Sequence, residues 1–524
     1  MKSRQLVDLP TKRITYKNGP NGTKYVYYTV RSYRNAQGNP TSDEKSIGKL
    51  DEATGQLIPN KNYFELFPNE RKDQPETVRS VGYFEVFSRL AESIGLTQTL
   101  THNFGRDSSE KLLAIAAFMM AHGNVMMDYP DWADSTSHPK VQTMTSQKLS
   151  EFFADLDDAE QLGFFRQWLM KAQEQEYIAY DVTSISSYSE EMAWVERGYN
   201  RDKENLAQIN LGMFFGETTK LPLYYSMYSG SIVDKTYLPF MMALAETIGM
   251  NHVRFVMDQG FMTRDNLMLM SHRQHTALSL IPKNLKMYKE LLADVIQHPF
   301  SSRERLNTQG IYARSIEREF DGVPVMVHLY FDQQKALLSE NALFDEVGRH
   351  EKQLNELAKQ KKLKPTLKKY FEVEETGEKE LSYRIDYDKI DKLKAQLGYF
   401  ALISTDKELS AEQALSTYRQ KDVIEKSFDQ LKNGMDYRLM RTHYTKTTEG
   451  KLFVAFLGLI MRSVFMQAIK ENEATERLTM KKVIRELEKI QHLQLKDGTT
   501  HMLPLTSTQK IILKALTIDA TVFN

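Results

Sequence analysis

Between residues 12 and 50 polar and apolar positions alternate, and the run Lys24-Tyr-Val-Tyr-Tyr-Thr-Val-Arg-Ser-Tyr33 is dense in β-branched and aromatic residues. With Asn-Gly and Gln-Gly pairs as turns, this predicts a β-rich beginning. The period then changes. Phe84, Phe87, Leu90 and Ile94 recur at helical spacing, and Ser108-Ser-Glu-Lys111 introduces a second, strongly apolar helix. Residues 123–150, punctuated by Asp-Tyr-Pro-Asp-Trp and Ser-His-Pro, predict a loop, and a helix is expected over about 150–175.

From residue 176 the order becomes strand, strand, strand, helix, strand, helix. The strands are expected at 176–184, 208–215, 221–228 and 253–257, and the helices at 237–248 and 264–272. Three strands joined by turns, then strands alternating with helices, give an α/β class: a mixed sheet flanked by helices. That pattern is interrupted from about 285 to 397, where a strand at 323–330 and a long charged helical run at 332–364 intervene. A strand at 398–404 restores it. The segment 410–524 is expected to be almost wholly helical.

A chain of 524 residues exceeds one ordinary core, so two to four structural units are expected. There is no cysteine, which excludes disulfides, thiolate nucleophiles and cysteine-based zinc sites. The first residues lack the apolar core of a signal peptide. The apolar runs 112–120 and 452–461 are each about half of a bilayer span and are expected to be buried helices. Formal net charge is zero. It is unevenly spread, however. Up to Arg34, eight basic residues face one acid, Asp8, and residues 359–369 hold six lysines and no acid. Such patches can grip phosphates, or can be solvated faces.

Three acids stand out. Asp181, in Tyr177-Ile-Ala-Tyr-Asp-Val-Thr-Ser184, lies within an apolar strand, where a carboxylate is costly unless paired or metal-bound. Asp258, in Arg254-Phe-Val-Met-Asp-Gln-Gly-Phe261, follows a strand at the end where α/β sheets place their ligands. Either alone is equally a cap or turn residue. The third lies in Tyr418-Arg-Gln-Lys-Asp-Val-Ile-Glu-Lys-Ser-Phe-Asp-Gln-Leu-Lys432. At roughly 100° per residue, Tyr418, Lys421, Glu425 and Lys432 share one stripe, and Ile424, Phe428 and Leu431 form an apolar stripe beside it. A surface helix with an ordinary Lys421–Glu425 pair would give the same pattern. The chemical reading is phosphodiester cleavage: two magnesium ions about 4 Å apart activate the nucleophile and stabilise the leaving oxygen, and carboxylates are their natural hard ligands.

These residues resemble the DDE transposases of bacterial insertion sequences, specifically the IS-four-like superfamily. Tyr418, Lys421, Glu425 and Lys432 match the spacing of its Tyr-x2-Arg-x3-Glu-x6-Lys motif, with Lys421 in place of the arginine. Lysine cannot make the planar bidentate phosphate contact. Tyr-Asp-Val-Thr-Ser around Asp181 and Met-Asp-Gln-Gly-Phe around Asp258 are similar to the first and second Asp motifs. Gly230-Ser-Ile-Val-Asp234 resembles a Gly-Asn-x-x-Asp loop, with Ser231 replacing the Asn. The resemblance implies a ribonuclease-H-like sheet interrupted by an insertion domain. It implies two Mg²⁺ ions (Mn²⁺ as a substitute) held by the catalytic Asp181, Asp258 and Glu425, with Tyr418, Lys421 and Lys432 on DNA. The expected partners are terminal inverted repeats, target DNA and a second subunit when DNA is bound. No membrane is expected, and the setting is the bacterial cytoplasm at the nucleoid.

The corresponding organisation is a β-rich basic region at 1–75, a helical DNA-binding or bridging region at 76–170, a catalytic core at 171–284 and 398–470 split by the insertion 285–397, and a helical C-terminal region at 471–524. A metal nuclease without strand transfer, a catalytically inactive DNA-binding relative, and a glycosidase using two carboxylates are the competing readings. Asp234 is either a helix cap or a further metal ligand. His272, His275 and His328 read as satisfied or exposed histidines. Arg438, Arg441, His443 and Lys446 read as DNA contacts or as a solvated loop.

Overall fold

The computed structural model describes residues 6–67, 75–172, 177–307, 310–357, 369–376, 380–495 and 499–523. Its centre is a nine-stranded mixed sheet. In chain order the strands are β1 (Tyr177–Ser187), β2 (Gln208–Gly216), β3 (Pro222–Ser229), β4 (Arg254–Met257), β5 (Thr276–Leu280), β6 (Ile311–Phe320), β7 (Val323–Asp332), β8 (Tyr399–Ser404) and β9 (Leu439–Met440). Across the sheet they run β6-β7-β8-β5-β4-β1-β2-β3, with β9 beside the far end of β1.

β1, β2 and β3 form an antiparallel meander, whereas β1, β4 and β5 are parallel. β2 is buried at every position and β1 at all but Asp181, so both faces of the sheet are covered. This accounts for near-continuous apolar runs in place of alternation. Pairing of β1 with β4 runs from Tyr177↔Arg254 to Tyr180↔Met257. One step further along both strands lie Asp181 and Asp258.

Helices Leu96–His122 and Thr445–Lys470 belong to the same main core as the sheet. The second is long and apolar enough to cross a membrane by length and composition, yet 72% of its apolar window is buried inside the protein. It is a core helix, as the apolar run suggested.

Strands Ile14–Asn18, Lys24–Arg34, Pro40–Leu50 and Leu57–Pro59 form a separate sheet around Val26, Ile47, Leu57 and Tyr63. Two of its basic residues are paired, Lys17 with Glu44 at 2.9 Å and Lys24 with Glu52 at 3.6 Å. The lysine cluster at 359–369 lies outside the described residues except for Lys369, which reaches Glu346 at 3.4 Å.

Four expectations need correction. The loop at 123–150 contains a helix, Tyr129–Ser135, whose Tyr129 and Trp132 are buried; a proline in its first turn disguised it. The helix expected at 150–175 is two, Ser146–Ala154 and Asp158–Ala172. The Asp157 side chain starts the second by accepting from the backbone of Ala159 and Glu160. The C-terminal part is not almost wholly helical, because Gln491–Leu495 pairs with Thr500–Met502 and with Pro75–Ser80. Finally, the interruption at 285–397 adds hairpin β6–β7 to the central sheet through β8. Its helix Gln333–Leu357 meanwhile joins helix Tyr387–Lys394 around a small core of Leu343, Val347, Leu354, Tyr370, Phe371 and Ile390.

Candidate active site

The parallel register brings Asp181, within β1, beside Asp258 at the end of β4. Asp181 is enclosed within β1, and Asp258 follows β4 with its side chain 51% exposed. Glu425 comes from the other side, on helix Asp422–Asp429, which packs Ile424 and Phe428 into the main core. Its carboxylate is 61% exposed. All three acids line one cleft of about 430 Å³, together with Thr183, Arg201 and Asp234.

The segment bearing Glu425 is not the single straight helix expected. Helix Ala411–Gln420 ends at Lys421, where the backbone tightens into bonds from Lys421 to Tyr418 and from Ile424 to Lys421. Helix Asp422–Asp429 follows, then a wider π turn, Gln430–Gly434. Lys421 Nζ sits 3.5 Å from Asp258 Oδ1 and 3.4 Å from Glu425 Oε1, with its side chain only 5% exposed. Burial works against its charge, but Asp181, Asp258, Tyr418 and Glu425 outweigh it, and the ammonium is held above its ordinary pKa. The i,i+4 contact is therefore real, but its lysine is buried and also reaches Asp258, so it is not an ordinary solvated surface pair.

Burial pushes the Asp181 carboxyl up to about 6, against the opposing pull of Lys421, the Val182 N–H and Arg201. Its Oδ1 accepts one hydrogen bond, from Val182 N at 2.8 Å. Among the described residues no ion pair reaches it. An enclosed carboxylate so lightly compensated suits a cation ligand. Among the described residues, however, no three His, Asp or Glu side chains are arranged to hold a metal ion as they stand. The Lys421 ammonium lies between two of the acids instead.

Residues 172–461, more than half of the chain, match the transposase DDE domain family. The chain belongs to the DDE transposases. No curated protein matches it. A solved structure with some likeness is the piggyBac transposase synaptic complex with hairpin DNA, at 14% identity, covering 73% of this chain and 70% of that one with a TM-score of 0.35. That likeness is too distant to carry an argument.

Within this DDE transposase the remaining residues of interest divide sharply. Tyr418 is half-buried beside the cleft, its hydroxyl pushed up to about 12 by burial and then by the Asp258 charge. Lys432 is buried and paired with Asp202. The π turn adds a residue to the helical path, which rotates Lys432 inward to Asp202 at 2.6 Å with its side chain 8% exposed. Asp234 is not a cap: it sits in the first turn of helix Asp234–Thr247 without bonding its backbone. Its carboxylate instead accepts from Arg201 Nη2 at 2.5 Å and from Tyr228 Oη at 2.6 Å.

His275 accepts from Val253 N at 2.9 Å and faces Glu246, so it is a satisfied core residue, whereas buried His328 bonds Ser315 through Nδ1 at 2.9 Å and its Nε2 has no partner among the described residues. His272 is exposed at a helix end. Arg441 pairs with Asp436 and Lys446 with Asp158, Arg438 binds Asn433, and the His443 carbonyl accepts from Ser189.

Arg201 was missed from the sequence. It lies on the connection between β1 and β2, residues 188–207, far longer than two adjacent antiparallel strands require. Length is the available signal, since long connections inside compact domains are commonly functional.

Proposed function

We propose that this DDE transposase cuts and joins DNA ends on a ribonuclease-H-like core, with Asp181, Asp258 and Glu425 as the ligands of two divalent cations, magnesium in the cell and manganese as a substitute. The observation that carries the reading is the convergence of three acids from separated stretches of chain on one cleft, where the parallel pairing of β1 with β4 ends. The order β3-β2-β1-β4-β5, with the first three strands antiparallel and the rest parallel, supports the core assignment.

When bound, the ions would supply Lewis-acid activation of the attacking oxygen and charge stabilisation at the leaving oxygen. The chain's own residues do the rest. Asp181, fixed by its strand, and Asp258, at a more open strand end, would set the spacing of two of the ligands, and Glu425, from its helix, would supply the third. Lys421 balances Asp258 and Glu425 in the free protein, and its ammonium would meet a phosphate oxygen of bound DNA as a point charge. Tyr418, kept protonated, offers a hydroxyl donor beside it.

The substrate proposed is double-stranded DNA bearing terminal inverted repeats, then target DNA, with two subunits on the paired ends of a bacterial insertion sequence of the IS-four-like type. The working compartment is the bacterial cytoplasm at the nucleoid. The test is Mg²⁺-dependent cleavage of duplexes made from the DNA flanking the reading frame. Asp181→Asn, Asp258→Asn and Glu425→Gln should each abolish cleavage while leaving duplex binding in place. Full cleavage by any one of them removes that residue from the site, and cleaved ends that never join a second duplex would mark a nuclease.

A further inference from the structure

The β1–β2 connection is fastened to the sheet end at several points. Asn200 Nδ2 donates to Ser186 Oγ at 3.1 Å, and the Arg201 backbone N–H donates to Ser184 Oγ at 3.0 Å. Asp202 accepts from Lys432 at 2.6 Å, and Ser186 also bonds Glu204. Asn200 closes the turn by accepting from the backbone of Asp202 and Glu204. A segment held this way does not wander, and the side chain it directs into the cleft is Arg201, 29% exposed and facing the carboxylates.

The guanidinium is aimed as well as anchored. One of its nitrogens, Nη2, bonds Asp234, and Asp234 is itself held by Tyr228. Two glycines permit this arrangement. A Cβ on Gly230 would strike the carbonyls of Gln208 and Glu196, and one on Gly198 would strike the Gly230 carbonyl. The loop carrying Asp234 and the connection carrying Arg201 are thus pressed together backbone to backbone. Arg201 acts on the site electrostatically, being among the charges that draw the Asp181 carboxyl down.

An arginine spent wholly on one carboxylate would use both ends of its fork. Here a single nitrogen is engaged with Asp234, and both residues line the cleft that also holds Glu425. We infer that Arg201 is a phosphate-binding residue of the DNA cleft, with Asp234 and Tyr228 as its positioning residues, so that the backbone near the scissile phosphate is gripped by both Lys421 and Arg201. The inference rests on the proposed DNA-cleaving site and deepens it.

The experiment is the salt dependence of binding to a fluorescent duplex of the gene's flanking sequence, in EDTA, together with the cleavage rate in Mg²⁺. Each phosphate neutralised contributes about 0.9 to the slope of log affinity against log salt. Arg201→Ala should flatten that slope by about one and slow cleavage at least tenfold. Arg201→Lys should restore the slope while leaving cleavage slow, because lysine cannot bond Asp234 and a phosphate through one fork. Asp234→Asn should keep the slope and lower the rate, since the charge remains while its aim is lost. If Arg201→Ala fails to fold, Arg201→Gln, which can still donate to Asp234, carries the same expectation of a flattened slope. A soluble Arg201→Ala or Arg201→Gln protein with the wild-type slope would overturn the inference and leave an architectural ion pair. Glu425→Gln retaining cleavage would instead sink the metal-site reading, while a flattened Arg201 slope would still stand as a phosphate contact.

Discussion

Lys451 is a lysine in the wrong place for a lysine. It lies in the core helix Thr445–Lys470, 2% exposed, and its ammonium donates to the Asn124 carbonyl at 2.9 Å. Burial, with Arg441 adding to it, pushes its pKa from 10.5 down to about 7. At 1.36 kcal/mol per pKa unit, that depression corresponds to a cost on the order of 4 kcal/mol once the pH is low enough for the folded protein to carry the charge. The sign follows from proton binding. Between about pH 10.5 and pH 7 the unfolded chain holds this proton and the folded one releases it, so stability falls as the pH is lowered through that window and levels off below it.

Lys451→Met removes the charge at similar length. It forfeits one hydrogen bond and leaves the Asn124 carbonyl unmatched, a loss of about 1–3 kcal/mol. The variant should therefore be more stable than wild type by about 1–3 kcal/mol at neutral pH, and the advantage should shrink and reverse as the pH approaches 10. Thermal unfolding midpoints of both proteins across that range would show it. A difference between them that stays constant with pH would refute the reasoning, because it would mean Lys451 keeps its proton in the folded state. The prediction also touches the site. Asn124 bonds the carbonyls of Asp436 and Leu439, in the segment that follows the π turn and pairs with the end of β1.

Lys421→Met should enlarge the rise in melting temperature produced by Mg²⁺, since the variant leaves the facing acids without their internal cation; an equal or smaller rise would show that Lys421 does not oppose ion entry. Asp202→Ala should destabilise the fold far more than Lys432→Met, by about 3–5 kcal/mol, because it strands a buried ammonium, whereas Asp202 left alone keeps Arg438 at 3.7 Å; denaturant midpoints in the opposite order would contradict this. Gly230→Ala should cost about 1–3 kcal/mol and slow cleavage through displacement of Asp234, and a variant with unchanged melting and rate would disprove the close backbone approach.

Features set by local pattern were legible in the sequence. The strands and helices around Asp181 and Asp258 follow from runs of β-formers and helical spacing, because the sheet they build is covered on both faces and demands those runs. The three carboxylates stood out because Asp181 interrupts an apolar strand, Asp258 follows the end of another, and Glu425 sits in a motif of fixed spacing. What escaped depends on distant partners. Gln491–Leu495 forms a strand because Pro75–Ser80 lies beside it, and nothing within five residues announces a partner so far away in the chain. The break at Lys421 and the π turn escaped for a related reason. A uniform 100° step assumes one helix, whereas a buried Lys421 that reaches Asp258 and an Asp202 waiting for Lys432 reward a path that tightens and then widens.

The same reasoning explains why Asp234 and Arg201 were read less well than the acids they accompany. A carboxylate in an apolar strand is conspicuous because its cost is local, whereas an arginine in a polar connection costs nothing until the chain is folded. Its meaning arises only when the glycines at 198 and 230 let two loops touch and Asp234, freed from capping its helix, takes hold of the guanidinium. A cleft that must hold three acids together needs opposing positive charge to remain folded before any cation or DNA arrives. Lys421, beside Asp258 and Glu425, and Arg201, beside Asp234, supply it, and on the proposed reading the same two groups would meet the phosphates of a bound strand.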